Sequence, residues 1–182
     1  MIRKGLLAGI VLCFLWPPLA IAEDVWLLID TKKLQLQVRR GEKTVMVFDN
    51  IAIGRNGAGF KTHRGDDVTP RGQYRIAWIN NNSAYYRFFG FDYPTQFNAV
   101  EGLNWGLINR ETYRRIIAAH EAGEVPPQNT VLGGQIGIHG LGKADKAIHK
   151  LMNWTHGCIA LTNEQIDRLT PWVKKGIPVK VK

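Results

Sequence analysis

The sequence predicts a β-rich α+β fold, a sheet sandwich or barrel with a helix-containing segment inserted. Three observations carry this. Leu34, Leu36 and Val38 alternate with Gln35, Gln37 and Arg39, the period-two pattern of a half-buried strand. Short apolar runs separated by Asp, Gly and Pro turns follow one another as far as Trp78 with no helical period between them. Only later does a clear helical face emerge, at Tyr113, Ile116, Ile117 and His120.

Residues 1–22 are read first as a leader. Arg3 and Lys4 precede an apolar run from Leu6 to Leu15, and Ala20-Ile21-Ala22 offers small residues around a cleavage point. The run is short for a membrane span, and Pro17-Pro18 would break its helix. Cleavage after Ala22 and export to a periplasm or cell-wall space are therefore expected, leaving one domain over residues 23–182 and no stable membrane insertion. The whole chain has 24 basic and 15 acidic residues, a formal net charge of +9. Loss of Arg3 and Lys4 leaves 22 basic residues against 15 acids, or +7. That charge suits an acidic polymer, and export disfavours nucleic acid. A composition of 45% hydrophobic and 21% charged residues is globular, not disordered. Cys13 leaves with the leader, so Cys158 remains alone. A lone exported cysteine points to a reactive thiol or an intermolecular bridge.

Along the chain, strands are expected at Val25–Asp30, Leu34–Val38 and Thr44–Ile53. The loop Gly54–Asp67 carries four glycines and several charges and reads as mobile. Thr69-Pro70-Arg71-Gly72 leads into a strand over Gln73–Trp78. Asn80–Trp105 is rich in aromatic residues and lacks a clean period; it reads as a long loop that serves either as a substrate-covering lid or as a satellite core. Asn109 caps a helix over Arg110–Glu121, which stops at Gly123. A strand follows at Gln135–His139, then helical turns over Asp145–Met152 with His149 solvated. Thr162 and Gln165 have capping-box spacing for a helix to Leu169. Ile177–Val181 closes the domain, and Pro178 places it at a sheet edge.

The chemistry concentrates in Ile138–Asn163. Fifteen residues lie between His139, at a strand end, and Thr155-His156-Gly157-Cys158. A cysteine nucleophile attacks as thiolate, and the ordinary thiol pKa of about 8.5 calls for a basic neighbour to lower it. Gly157 would let a substrate carbonyl approach the backbone. A zinc site built from His139, His156 and Cys158 is disfavoured, because no second cluster of ligands accompanies them. Papain-type peptidases place Cys before His in the chain, the reverse of the order here.

These residues resemble the L,D-transpeptidase catalytic domain, the YkuD-type fold of bacterial cell-wall enzymes. The family pattern is a His followed at about this distance by Ser/Thr-His-Gly-Cys. The start at Val25–Val38, the Thr69-Pro70-Arg71-Gly72 turn and Thr162-Asn163-Glu164 match it too. The resemblance implies Cys158 as nucleophile and His139 as base, oriented through the Gly140 carbonyl. Thr155, His156 and Gly157 would shape the site, with the N–H groups of Gly157 and Cys158 facing an oxyanion. It implies a metal-free, cofactor-free enzyme, expected to be monomeric, with peptidoglycan stem peptides as donor and acceptor. The amide after the third stem residue would be attacked and the thioester resolved by an amine, giving 3→3 cross-links, or by water. Many members carry Arg or Asn where this chain has Ala160. Arg55, Arg64 or Arg71 would then meet the donor carboxylate, and Tyr86, in the aromatic stretch, is a further candidate to bind substrate. L,D-carboxypeptidase or amide hydrolase activity at the same site, and a non-catalytic wall-binding module, remain open as alternatives.

Overall fold

A computed structural model describes residues 24–182. The leader expected over residues 1–22 lies outside the described residues. The first three strands, β1 (Val25–Asp30), β2 (Gln35–Arg40) and β3 (Lys43–Asp49), form an antiparallel meander. Their alternation sends Leu27, Ile29, Leu36 and Val38 inward. Two short strands follow, β4 (Ala58–Gly59) and β5 (Thr69–Pro70), paired with each other in parallel. Then come β6 (Gly72–Ser83), β7 (Tyr86–Phe91), α1 (Gln96–Asn104), α2 (Arg110–Glu121), β8 (Gly137–His139) and α3 (Lys146–Leu151). The chain ends with β9 (Ile159–Ala160), α4 (Asn163–Leu169), a 3₁₀ turn over Thr170–Trp172 and β10 (Pro178–Val181).

Eight strands make one mixed sheet in the order β3-β2-β1-β10-β6-β7-β8-β9. The long β6 joins its two halves: Gly72–Arg75 pair with β10, and residues from Ile76 onward pair with β7. Beyond β3 the chain turns at Asn50, φ 56°, and returns to the opposite edge. There Ala52 and Ala160 exchange backbone hydrogen bonds of 3.0 and 2.8 Å. The sheet thus closes on itself, and edge pairing is satisfied by residues the sequence assigned to the third strand. One core cluster draws Leu27, Ile29 and Phe48 from one half, Phe89, Ile138 and Ile159 from the other, and Ile166 and Leu169 from α4. Each fully buried aliphatic chain contributes about 1.5–3 kcal/mol.

Several expectations change. The pairings β1·β10 and β8·β9 are parallel, where a succession of antiparallel strands was expected. β10 lies inside the sheet between β1 and β6, not at an edge. Pro178 is tolerated there because it is the first residue of the strand, where a missing N–H costs little. The stretch 80–105 is not a long loop: it holds the end of β6, β7 and α1, and through Ala99 and Leu103 of α1 it contributes to a satellite core. The start of α1 carries a Thr95/Asn98 capping box, with Asn in the place of the usual Glu or Gln. The face predicted for α2 packs as expected, with Ile116 fully buried beside Ala99, Ile108 and Leu132. His149 is 4% exposed and accepts from Trp154 Nε1 at 3.3 Å, because α3 turns it inward.

Candidate active site

β8 holds His139 between two strands, with Phe88 of β7 and Ala160 of β9 as its register partners. Its Nδ1 lies 2.6 Å from the Gly140 carbonyl. A carbonyl only accepts, so Nδ1 carries the proton and the lone pair sits on Nε2. The ring is enclosed by Tyr85 (4.6 Å between centroids), Trp154 (5.9 Å) and Phe88 (6.3 Å). This burial pushes the imidazole pKa down to about 4, against the opposing pull of the Gly140 carbonyl. Asn163 Oδ1 accepts from the N–H groups of Leu141 and Gly142 at 2.9 and 3.1 Å, fixing the turn that follows.

Cys158 comes from a tight turn. Thr155 Oγ1 donates to the Cys158 carbonyl at 2.7 Å and accepts from Gly157 N at 3.2 Å. Gly157 has φ 124°, and a Cβ there would stand 2.8 Å from the Val68 carbonyl, so glycine is required on both counts. The Gly157 N–H expected to face an oxyanion is therefore engaged by Thr155. Ile138 and Ile159 are register partners and both enter the core. Alternation sends His139 to the other face of the sheet, and Cys158 immediately precedes β9, whose Ala160 is the register partner of His139. No hydrogen bond joins His139 and Cys158 among the described residues, and His139 is not among the residues that line the cleft at the thiol. Cys158 Sγ instead donates to the Gln135 carbonyl at 3.2 Å. Burial pushes the thiol up to about 11, with a Gly137 backbone hydrogen bond and the Lys61 charge opposing. The resting pair is thus a thiol and a neutral imidazole, opposite to the lowered thiol pKa expected from the sequence.

A cleft of about 490 Å³ opens at the thiol, lined by Cys158, His156, Lys61, Arg64, Gln128 and Gln135 among others. Lys61 is 2% exposed and paired with Asp66. Burial raises the Asp66 pKa, yet Lys61 and the N–H groups of Val68, His63 and Thr62 together hold it below the usual carboxylate value. These bonds pin the 54–67 loop that the sequence suggested was mobile. Asp67 then reaches His156, with Oδ1 to Nδ1 2.7 Å, and lies 3.6 Å from Arg55.

Of the residues singled out from sequence, the cleft thus gathers Cys158, His156 and Arg64, and Arg55 joins through Asp67. Arg71 does not: it lines a different cavity with Asp92 and His120. Nor does Tyr86, whose hydroxyl donates to Asp167 at 2.8 Å; its neighbour Tyr85 is the ring that covers His139. Ala160 is fully buried, packed with Ala52 and Leu141. Lys61, Asp66, Asp67, Gln135 and Trp154 were missed. The paired acids Asp66-Asp67 in a glycine-rich loop were the available signal; the others carry none in local pattern. Among the described residues, no three His, Cys, Asp or Glu side chains are grouped to hold a metal.

The catalytic-domain model of the L,D-transpeptidases matches residues 24–181, and the chain belongs to that family, which acts on peptidoglycan peptides. Solved structures agree on the fold. The helical cell shape determining protein Pgp2 of Campylobacter jejuni is 21% identical with a TM-score of 0.61, covering 88% of this chain and 49% of that one. Bd1075 of Bdellovibrio bacteriovorus is 19% identical, TM-score 0.55, covering 91% and 50%. An L,D-transpeptidase of Xylanimonas cellulosilytica is 16% identical, TM-score 0.50, covering 92% and 64%. The chain thus spans about half the length of the first two. No curated protein matches. Among the described residues, no helix is long and apolar enough to cross a membrane.

Proposed function

We propose that this protein is an exported, cysteine-dependent L,D-transpeptidase that acts on peptidoglycan stem peptides through a thioester. The observation that carries the reading is the Cys158 thiol lining a cleft, two residues from the β9 register partner of a His139 whose tautomer leaves Nε2 free. On binding, a donor carbonyl draws the thiol away from Gln135. Nε2 of His139 takes the Sγ proton as sulfur attacks the carbonyl carbon. Collapse of the tetrahedral adduct breaks the C–N bond, and the same proton passes to the departing amine of the terminal residue. An acceptor amine then attacks the thioester, its proton leaves through His139, and the thiol is restored. Because both resting groups are neutral, attack requires the Sγ proton to move to Nε2 of His139.

Hydrolysis at the same site is the second reading. Ala160 is fully buried, and the candidates for the donor carboxylate are Arg64, which lines the cleft, and Arg55, which reaches it through Asp67. Pgp2 is described as determining cell shape, and a part in shaping the wall is in keeping with both readings. Incubation with a defined stem tetrapeptide and an acceptor stem, followed by mass analysis, tests them. Loss of the terminal residue with gain of the acceptor supports transpeptidation. Loss without gain replaces it by carboxypeptidation. No reaction, with a thiol that still alkylates, removes both and leaves the wall-binding alternative.

A further inference from the structure

The outer face of α1 is the opposite of what a surface helix presents. Phe97 is 63% exposed and Val100 40%, and Trp105, just past the helix, is 55% exposed. Phe60, from the loop after β4, joins the same group, tilted against Trp105 at 4.4 Å and edge-on to Phe97 at 6.4 Å between ring centroids. Val131, 58% exposed, stands on the loop whose carbonyl receives Arg64 N at 2.8 Å. The patch thus runs on from the cleft: Phe60 precedes Lys61 in the chain, and Lys61 and Arg64 both line the cleft. From Gln96 to Trp105 the only charge is Glu101, in a chain of net charge +9, and the exposed polar neighbours are the amides Gln96 and Asn104. Exposed rings of this size mark an interaction surface.

The geometry points to a glycan-binding platform: Phe97 and Trp105 receive the apolar faces of sugar rings in the peptidoglycan glycan strand, flanked by amides that bond hydroxyls. This rests on the reading of the cleft as a stem-peptide site, because a stem peptide held there carries its own glycan strand with it. A second copy of this chain fits less well. The exposed parts of Phe97, Val100, Trp105 and Val131 amount to roughly 400 Å², about half of what one partner gives to a stable interface. Two copies of a chain this basic also repel one another. Uncharged rings beside amides suit a neutral, hydroxyl-rich ligand whose rings have one apolar face.

The test uses the full chain and insoluble glycan strands of β-1,4-linked N-acetylated amino sugars stripped of peptide. Wild type is expected to sediment with the strands. Phe97→Ala and Trp105→Ala are each expected to weaken binding about fivefold and the pair at least twentyfold, with melting temperature and iodoacetamide labelling of Cys158 unchanged. Trp105→Phe keeps a ring and should retain most of the binding. If Trp105→Ala misfolds through its contact with Phe60, Phe97→Gln alone decides, since that side chain is mostly in solvent. Equal binding by wild type and variants, or none by wild type, overturns the proposal. Self-association of wild type in sedimentation velocity that disappears in the double variant also overturns it and makes the face a dimer seat. Turnover of a soluble, sugar-free stem peptide is measured in parallel. If wild type lacks that turnover, the proposed function fails while glycan binding still judges the platform; if turnover persists without glycan binding, only the platform fails.

Discussion

His139 sits in β8 with 3% of its surface exposed, whereas His156, two residues before the thiol, has a side chain 71% exposed. Both rings use Nδ1 for a hydrogen bond, one to its neighbour's carbonyl and the other to the Asp67 carboxylate. The ladder and three aromatic rings fix His139 and keep it uncharged. One carboxylate from a distant loop orients His156, and solvent surrounds the rest. The same residue type thus occupies two contrasting environments, one buried in the sheet and one on the cleft wall. A base needs a known tautomer and a neutral ring, which rigid packing supplies; a ring on a cleft wall needs reach, which a turn supplies.

The largest expected effect anchors the comparison to the thiol. Cys158→Ala should abolish turnover of a stem tetrapeptide, by at least ~10³-fold, with melting temperature nearly unchanged because the side chain adds little to the core. Residual turnover by the folded variant would detach both histidines from the chemistry.

His139→Gln comes next. It should lower kcat by about 10²–10⁴, the range for a positioned acid–base group, with little change in KM. It should also flatten the acid limb of stability. The folded-state pKa of His139 lies near 4 against an ordinary value of 6.5. The unfolded chain therefore binds the extra proton more readily, and stability present above pH 6.5 is lost as pH falls toward 4. At ~1.4 kcal/mol per pH unit this amounts to roughly 3 kcal/mol. His149, also held below its ordinary value by burial, leaves a smaller slope in the variant. Denaturant midpoints at pH 7 and pH 4.5 for the two proteins measure the difference. Equal acid losses would show that His139 is not the group concerned.

Asp67→Asn sharpens the other half. Asn keeps an acceptor for His156 Nδ1 but removes the charge shared with Arg55. A fall in kcat/KM of about threefold to tenfold is expected, and Asp67→Ala should cost more because the ring is then unoriented. An Asp67→Ala protein with wild-type kinetics would make the contact a surface ornament.

The smallest effect is the most diagnostic of the resting state. Since Sγ bonds to Gln135 and its pKa lies near 11, the rate of iodoacetamide labelling should climb about tenfold per pH unit through pH 9. His139→Gln should change that profile less than about twofold. A plateau near neutral pH in wild type, absent in the variant, would restore a thiolate–imidazolium pair.

Much of this molecule was legible from residues alone. Local rules gave the first strands, because alternation needs only one buried face. They gave α2 and α4 as well, because caps and helical faces are written within a few neighbours. The spacing from His139 to Cys158 marked the nucleophile and partner proposed above. What local rules missed depends on residues far apart in the chain. The place of β10 is set by pairing with β1 and β6, which lie more than a hundred residues upstream. A proline at its first position reads as an edge only if those partners are unseen. The burial of His149, the engagement of the Gly157 N–H and the exclusion of Tyr86 from the site follow in the same way. The sequence by itself determined which side chains are candidates for the proposed chemistry, since reactivity resides in residue type and short spacing. Only the tertiary structure decided their protonation and company: Lys61 beside the thiol, Asp67 on His156, Tyr85 and Trp154 over His139. Those depend on desolvation and on contacts that chain folding brings together from separate elements.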